Sequence, residues 1–333
     1  MLAAVLAISL CACSPVYVYK AAAGHASLLW HRRSIDKALK DPKTPPELKE
    51  KLEIAGAARR FAFDVMGLRR SRQYSTYSMV KRPYLTYVVE ACDRLSFTQH
   101  LFHFPIIGSF PYKGYFNPKD AQREADSLAA LGLDTYVGGV GAYNTGFWLS
   151  DPVPSTVLSY SPGDLADLII HELTHSTAFF KDQVVFNESM ATFVGGQGAK
   201  EFLSKRYGAD SEELKDFLKS QADEERLGRD IDGLYAELDA VYKNSSTESV
   251  KLSLRENILK AGLKRLNDEG YHYQVLNNAV IMAHKVYHMD LSVFEDAYKA
   301  EGRDWPKTVA LFRSLDRRDP MNDLKRRTAE LAR

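Results

Sequence analysis

Between Ser161 and His175 the chain reads Ser-Pro-Gly-Asp-Leu-Ala-Asp-Leu-Ile-Ile-His-Glu-Leu-Thr-His, and no other stretch constrains the fold so tightly. A serine, then proline, then an acid three residues after the serine predicts a capped helix start. Leu165, Leu168, Ile169 and Leu173 recur at helical spacing, so one face of this helix must be buried. His171 and His175, four apart, share a face and can aim two imidazole nitrogens at one metal ion, with Glu172 beside them. Zinc suits the pair, because it accepts neutral imidazole and keeps one position open when three protein ligands hold it. Glu172 is then the candidate general base for a metal-activated water.

A third ligand has to follow. Phe186-Asn187-Glu188-Ser189-Met190-Ala191-Thr192-Phe193 offers an asparagine able to cap a second helix, Glu188 in its first turn, and Ala191 small enough for close helix approach. The two stretches together resemble the gluzincin pattern, in which His-Glu-x-x-His is followed by an Asn-Glu-x-x-Ala helix whose glutamate completes a zinc site. Twelve residues separate His175 from Glu188, fewer than in thermolysin-like enzymes, and that wording is similar to the bacterial aminopeptidase lipoprotein family. Further landmarks stand in the family's order: Phe104-Pro105 with Gly108, Pro111 to Phe116, Val137 to Tyr143, Asp151-Pro152 and Asn277-Asn278-Ala279.

The resemblance implies an α+β, zincin-like metallopeptidase fold: a small twisted sheet, an active-site helix and a helical C-terminal part. It implies zinc held by His171, His175 and Glu188, with Glu172 as base and a peptide as substrate. Two departures from better-known relatives matter. Thr192 stands where thermolysin-like enzymes carry an acid one turn after the glutamate ligand, and the Gly-x-Met-Glu-Asn motif that holds a substrate amine in large aminopeptidases is absent. Exopeptidase action therefore comes from the family alone, and endopeptidase action stays open. For the oxyanion donor that peptide hydrolysis needs, Tyr271 or His272 is the candidate, at a loop-to-helix junction. Two other readings stand beside this one: an amide or ester hydrolase of non-peptide envelope material, and a silent binding lipoprotein that kept the fold.

Length and charge set the remaining bounds. With 333 residues and 45% hydrophobic content the chain can bury a large core. A net charge near +1, with both signs interleaved along helical stretches, gives no case for nucleic acid. No protein partner is expected. Of three cysteines, two fall within the first thirteen residues, so no disulfide framework is possible and Cys92 reads as a buried thiol. Met1 to Leu10 is apolar and too short to span a bilayer, as in a signal peptide. Leu10-Cys11-Ala12-Cys13 resembles a bacterial lipobox, which implies cleavage after residue 12, a lipid on Cys13, and anchoring at the cell envelope, on the periplasmic side of the outer membrane. An uncleaved anchor or plain secretion are the alternatives.

Residues 13–43 are then a tether and entry segment and 44–333 the catalytic domain, sheet-containing to about residue 160. His25 and His31 are expected at the surface. Thr44 caps a helix to Val65 or Gly67; Ser71–Val80 and Pro83–Cys92 form strands of one sheet; Ser96–Phe116 is a loop; Asn117 opens a helix ending near Gly132; Thr135–Val140 is a strand. Ser211–Asn244 and Thr247–Asp268 are long helices, the first broken by glycines, and four shorter helices follow from Gln274 to Leu331.

Overall fold

The computed structural model describes residues 14–104, 108–142, 150–287 and 291–331. In chain order its elements are α1 (Pro15–Trp30), β1 (Arg33–Ser34), α2 (Ile35–Lys40), α3 (Pro46–Asp64), β2 (Thr76–Ser78), β3 (Thr86–Cys92), β4 (Phe102–Phe104) and β5 (Gly108–Phe110). There follow β6 (Tyr112–Tyr115), α4 (Pro118–Ala129), β7 (Asp134–Val140), β8 (Val153–Pro154), α5 (Pro162–Thr177) and α6 (Val184–Tyr207). The chain closes with α7 (Glu212–Lys243), α8 (Glu248–Asp268), α9 (Asn278–Tyr287), α10 (Ser292–Ala300), α11 (Trp305–Arg313) and α12 (Pro320–Leu331). The fold is mixed α+β and mainly helical.

The chain forms two compact units, each assembled from three segments. One contains Ala22–Leu85, Gly141–Gln221 and Met289–Arg333. Its sheet has the order β1-β2-β8, antiparallel at Arg33↔Tyr77 and parallel at Tyr77↔Val153. The core here is built on α5 and α6: Leu165, Ile169, Leu173, Met190 and Val194 are buried together with Phe61 and Met66 from α3 and its exit. Burial of such side chains contributes about 1.5–3 kcal/mol each, which fixes the two helices against α3. Glu201 on α6 accepts from Tyr298 Oη and Trp305 Nε1, both at 2.9 Å, and so binds α6 to α10 and α11.

The other unit contains Met1–Ala21, Thr86–Val140 and Ala222–His288. Its sheet is antiparallel in the order β6-β3-β7, with Val88 facing Gly114 on one side and Gly138 on the other. Val89 and Ala91 of β3 pack on Ala121, Ala125 and Leu128 of α4. Glu90 therefore lies on the opposite face. It is 6% exposed, its Oε2 has no partner among the described residues, and burial pushes its carboxyl up to about 8. The family landmark Asn277-Asn278 is architectural: Asn278 Nδ2 donates to Asp93 O at 2.8 Å and its Oδ1 accepts from Tyr242 Oη at 2.8 Å. Asn277 Nδ2 donates to Thr135 O at 2.9 Å.

Several expectations are corrected. The two predicted strands Ser71–Val80 and Pro83–Cys92 shorten to β2 and β3 and belong to different sheets. Pro83 between them has no N–H for a ladder, and Ser78 ends β2 by donating to Leu28 O at 3.1 Å. The predicted loop Ser96–Phe116 contains the hairpin β4-β5 and the edge strand β6. The period of two in Phe102-His103-Phe104 carried that signal, masked by the surrounding Pro and Gly. Thr44 does not cap α3; Pro45 occupies the N-cap and the Thr44 hydroxyl is buried with no partner among the described residues. Helix α7 is continuous despite its glycines, because Leu227, Ile231, Leu234, Leu238 and Tyr242 bury one stripe, outweighing the roughly 1 kcal/mol cost of a helical glycine. His25 is not a surface residue: its side chain is 12% exposed, 3.6 Å from the Asp151 carboxylate.

Candidate metal centre

Helix α5 begins as its sequence requires. Ser161 Oγ accepts from Asp164 N at 3.1 Å and donates to Asp164 Oδ2 at 2.8 Å. Leu165, Ile169 and Leu173 are buried, so the helix cannot rotate without exposing them, and His171 and His175 are fixed on the adjoining face. At its end Thr177 Oγ1 donates to Leu173 O at 2.8 Å and accepts from Arg69 N at 3.1 Å.

The chain then turns back, and here the structure departs from expectation. Asn187 does not cap the second helix, which starts earlier, at Val184. Its buried carboxamide instead pairs with the backbone of Phe180: Oδ1 accepts from Phe180 N at 2.9 Å and Nδ2 donates to Phe180 O at 2.7 Å. Glu188 thus lies in the second turn of α6, facing α5.

The three donor atoms converge. His171 Nε2 and His175 Nε2 are 3.1 Å apart, and Glu188 Oε2 is 3.4 and 3.5 Å from them respectively. Ligands about 2.05 Å from a tetrahedral ion are about 3.3 Å apart, so this triangle has the size that zinc requires. Among the described residues it is the one trio of His, Cys, Asp or Glu side chains able to hold a metal. Each of the three side chains keeps 12–16% of its surface exposed, which leaves an approach from one side. The donor set, two imidazoles and a carboxylate, also matches a catalytic zinc site with an open position.

Electrostatics agree with the geometry. Burial opposes charge on Glu188, yet the two imidazoles hold its carboxyl well below the usual carboxylate range. Burial likewise works against a charged His175, and Glu188 outweighs it, raising that imidazole. Glu172 is 8% exposed; burial pushes its carboxyl up, the two imidazoles oppose this, and the carboxylates of Glu188 and Asp151 add to the rise. His175 Nδ1 is buried with no protein acceptor among the described residues; the usual partner of a metal-binding imidazole is a carboxylate, carbonyl or water.

Close approach of α5 and α6 depends on glycine. A Cβ at Gly195 would collide with the Asp167 carboxylate and lie 3.1 Å from His171 Cβ; one at Gly198 would lie 2.6 Å from Met66 Cε. The Gly195-Gly196 pair, which suggests a bent helix in the sequence, is a contact surface within an unbroken one. Neither this role nor the Asn187 clamp was anticipated, although the small residues Ala191, Gly195 and Gly198 recur at helical spacing and signal it.

Tyr271 and His272 belong to the other compact unit, in the loop before α9. The Tyr271 hydroxyl donates to Asp223 O at 3.2 Å, and His272 is exposed. Away from the trio, His103 Nδ1 meets Ser109 Oγ at 2.7 Å, and His284 Nε2 meets Tyr273 Oη at 2.7 Å. Cys92 is buried, with its thiol pushed up to about 12 by that burial. Cys13 and the segment before it lie outside the described residues. No described helix is long and apolar enough to cross a membrane.

A family model described as "Putative aminopeptidase" matches residues 16–329. No curated protein and no solved structure matches the chain.

Proposed function

The chain belongs to the putative aminopeptidase family, and from that premise we propose that it is a zinc-dependent metallopeptidase of the gluzincin type. The observation that carries the reading is the His171, His175 and Glu188 triangle with a buried Glu172 next to it. When bound there, zinc supplies Lewis-acid polarisation of a water molecule and of the scissile carbonyl. His171 and His175 bind as neutral imidazoles and Glu188 as the anion that its neighbours already favour. Glu172 takes the proton of the attacking water and returns it to the leaving amine nitrogen. Its burial makes it a stronger base than a solvated carboxylate. Tyr271 or His272 serves as oxyanion donor in the same proposal.

The zincin-like fold, the lipid on Cys13 and the envelope setting, on the periplasmic side of the outer membrane, belong to the proposal as well. What supports them is the wording of the metal motif and of Leu10-Cys11-Ala12-Cys13. A panel of peptides with free and blocked N termini, run beside cell-wall muropeptides and simple esters, tests the activity. Zinc-dependent cleavage of free-amine peptides supports the aminopeptidase reading. Cleavage confined to muropeptides or esters would replace it with hydrolysis of envelope material. No turnover on any arm by the zinc-loaded protein would leave a binding lipoprotein. Cys13→Ser should release the protein from membranes.

A further inference from the structure

The first described helix is apolar on two faces, and one of them is left exposed by the described residues. Along α1 the inward side chains are Tyr17 and Leu28: Tyr17 Oη donates to Gly114 O at 3.1 Å, and Leu28 is 7% exposed. The outward side chains are Val16, Tyr19, Ala23, Ala26 and Trp30, spaced three, four, three and four, which places them on one stripe. Val16 is 61%, Tyr19 73% and Trp30 86% exposed, and Ala23 and Ala26 are exposed too. The one charged side chain of the helix, Lys20, turns aside to pair with Asp120 at 2.9 Å. An amphipathic surface helix would show charge where this one shows valine, tyrosine and tryptophan.

We propose that the outer face of α1 seats on an anionic lipid bilayer, as a second contact beside the Cys13 lipid. The inference takes the anchored reading above as its setting. Three observations select a bilayer over another protein. Tyr19 and Trp30, about 16 Å apart along the helix, are the two amphipathic aromatics that prefer the lipid headgroup boundary. The exposed Arg32 and Arg33 come after Trp30 and His31 and would meet anionic headgroups, Arg33 exchanging its surface partner Asp41 at 3.3 Å for them. Two copies pairing along a stripe with alanines in its middle would bury on the order of 1,000 Å² at best, the floor for a specific interface. The helix also starts two residues after Cys13, so an acyl chain there would hold its N-terminal end at the membrane.

The experiment places the full chain on phosphatidylethanolamine and phosphatidylglycerol vesicles containing brominated acyl chains. Subtracting the emission of Trp30→Phe from that of the parent isolates the Trp30 signal. The proposal expects Trp30 emission to be quenched at least twofold and shifted to the blue, and Tyr19→Ser to weaken the quenching. Unquenched Trp30 emission at the wavelength of tryptophan in water would overturn it. So would a blue shift present without vesicles together with a dimer in sedimentation, which would assign the stripe to a second copy. The mass of the mature N-terminal peptide reports the anchor separately: an unlipidated Cys13 with Trp30 still quenched would remove the lipid and leave the stripe.

Discussion

Asn187 and Phe180 pair side chain to backbone, the Asn187 carboxamide satisfying both the N–H and the C=O of Phe180 at 2.9 and 2.7 Å. The pair closes the turn between the helices that carry His171, His175 and Glu188, so the register of α6 relative to α5 is set one residue before Glu188. Asn187→Ala would strand the buried Phe180 N–H, at about 1–3 kcal/mol, while the Phe180 carbonyl keeps its bond from Gln183 N at 3.2 Å. Denaturant unfolding should show a loss of about 1–3 kcal/mol together with weaker zinc binding. A loss below about 0.5 kcal/mol would mean the clamp is incidental.

Gly195 makes the approach of α6 to His171 possible. Gly195→Ala puts a methyl carbon against the Asp167 carboxylate, 3.0 Å from Asp167 O and 3.1 Å from His171 Cβ, so the carboxylate must turn away and the two helices must ease apart, drawing Glu188 back from the imidazoles. Zinc affinity should fall at least tenfold, by analogy with the loss of an outer-shell partner, with stability lowered by about 1–3 kcal/mol. Gly208→Ala is no control, since that glycine has φ 105°. Gly233→Ala is one: its site is open, and it should leave zinc binding unchanged and slightly favour the helix.

Glu172→Gln keeps the shape of the side chain and removes its ability to take a proton. Zinc content should stay at the parent level while kcat falls by roughly 10²–10⁴ or more. Undiminished turnover in that variant would remove Glu172 from the base role.

Glu90 makes stability depend on pH. Its native carboxyl titrates at about 8 against an ordinary value of 4.5, so between these the unfolded chain has released a proton that the native chain keeps. Stability contributed by this protonated group is therefore complete below about pH 4.5 and is lost as pH rises through 8. The loss amounts to roughly 5 kcal/mol at most by pH 9, at about 1.36 kcal/mol per unit. Glu90→Gln should flatten the decline, gaining more at pH 8.5 than at pH 5 in denaturant titrations. Equal gains at both values would contradict the buried, protonated carboxyl.

Much of this was legible in the residues. The capped start at Ser161, the apolar spacing of Leu165, Ile169 and Leu173, and the four-residue interval of the histidines are local signals, and local signals survive folding. Helices at Pro118, Glu248, Ser292, Trp305 and Pro320 were found for the same reason. What failed was non-local. That β2 and β3 join different sheets and that His25 meets Asp151 depend on partners distant in sequence, whereas the Asn187 bond to Phe180, seven residues back, is short-range and was hidden by the residue's preference for capping. Glycine misled twice: in α7 its propensity was overridden by a buried stripe, and at Gly195 it signalled contact rather than a bend. The two units, each assembled from three segments, left no mark in composition.

Bound metal tests the central claim most directly. Zinc measured by elemental analysis of the purified protein should approach about one ion per chain and fall to a small fraction of that in Glu188→Ala, while both proteins remain folded by circular dichroism. A folded parent protein that takes up no stoichiometric zinc from a zinc-containing buffer, or a Glu188→Ala variant that holds it as firmly as the parent, would contradict the account.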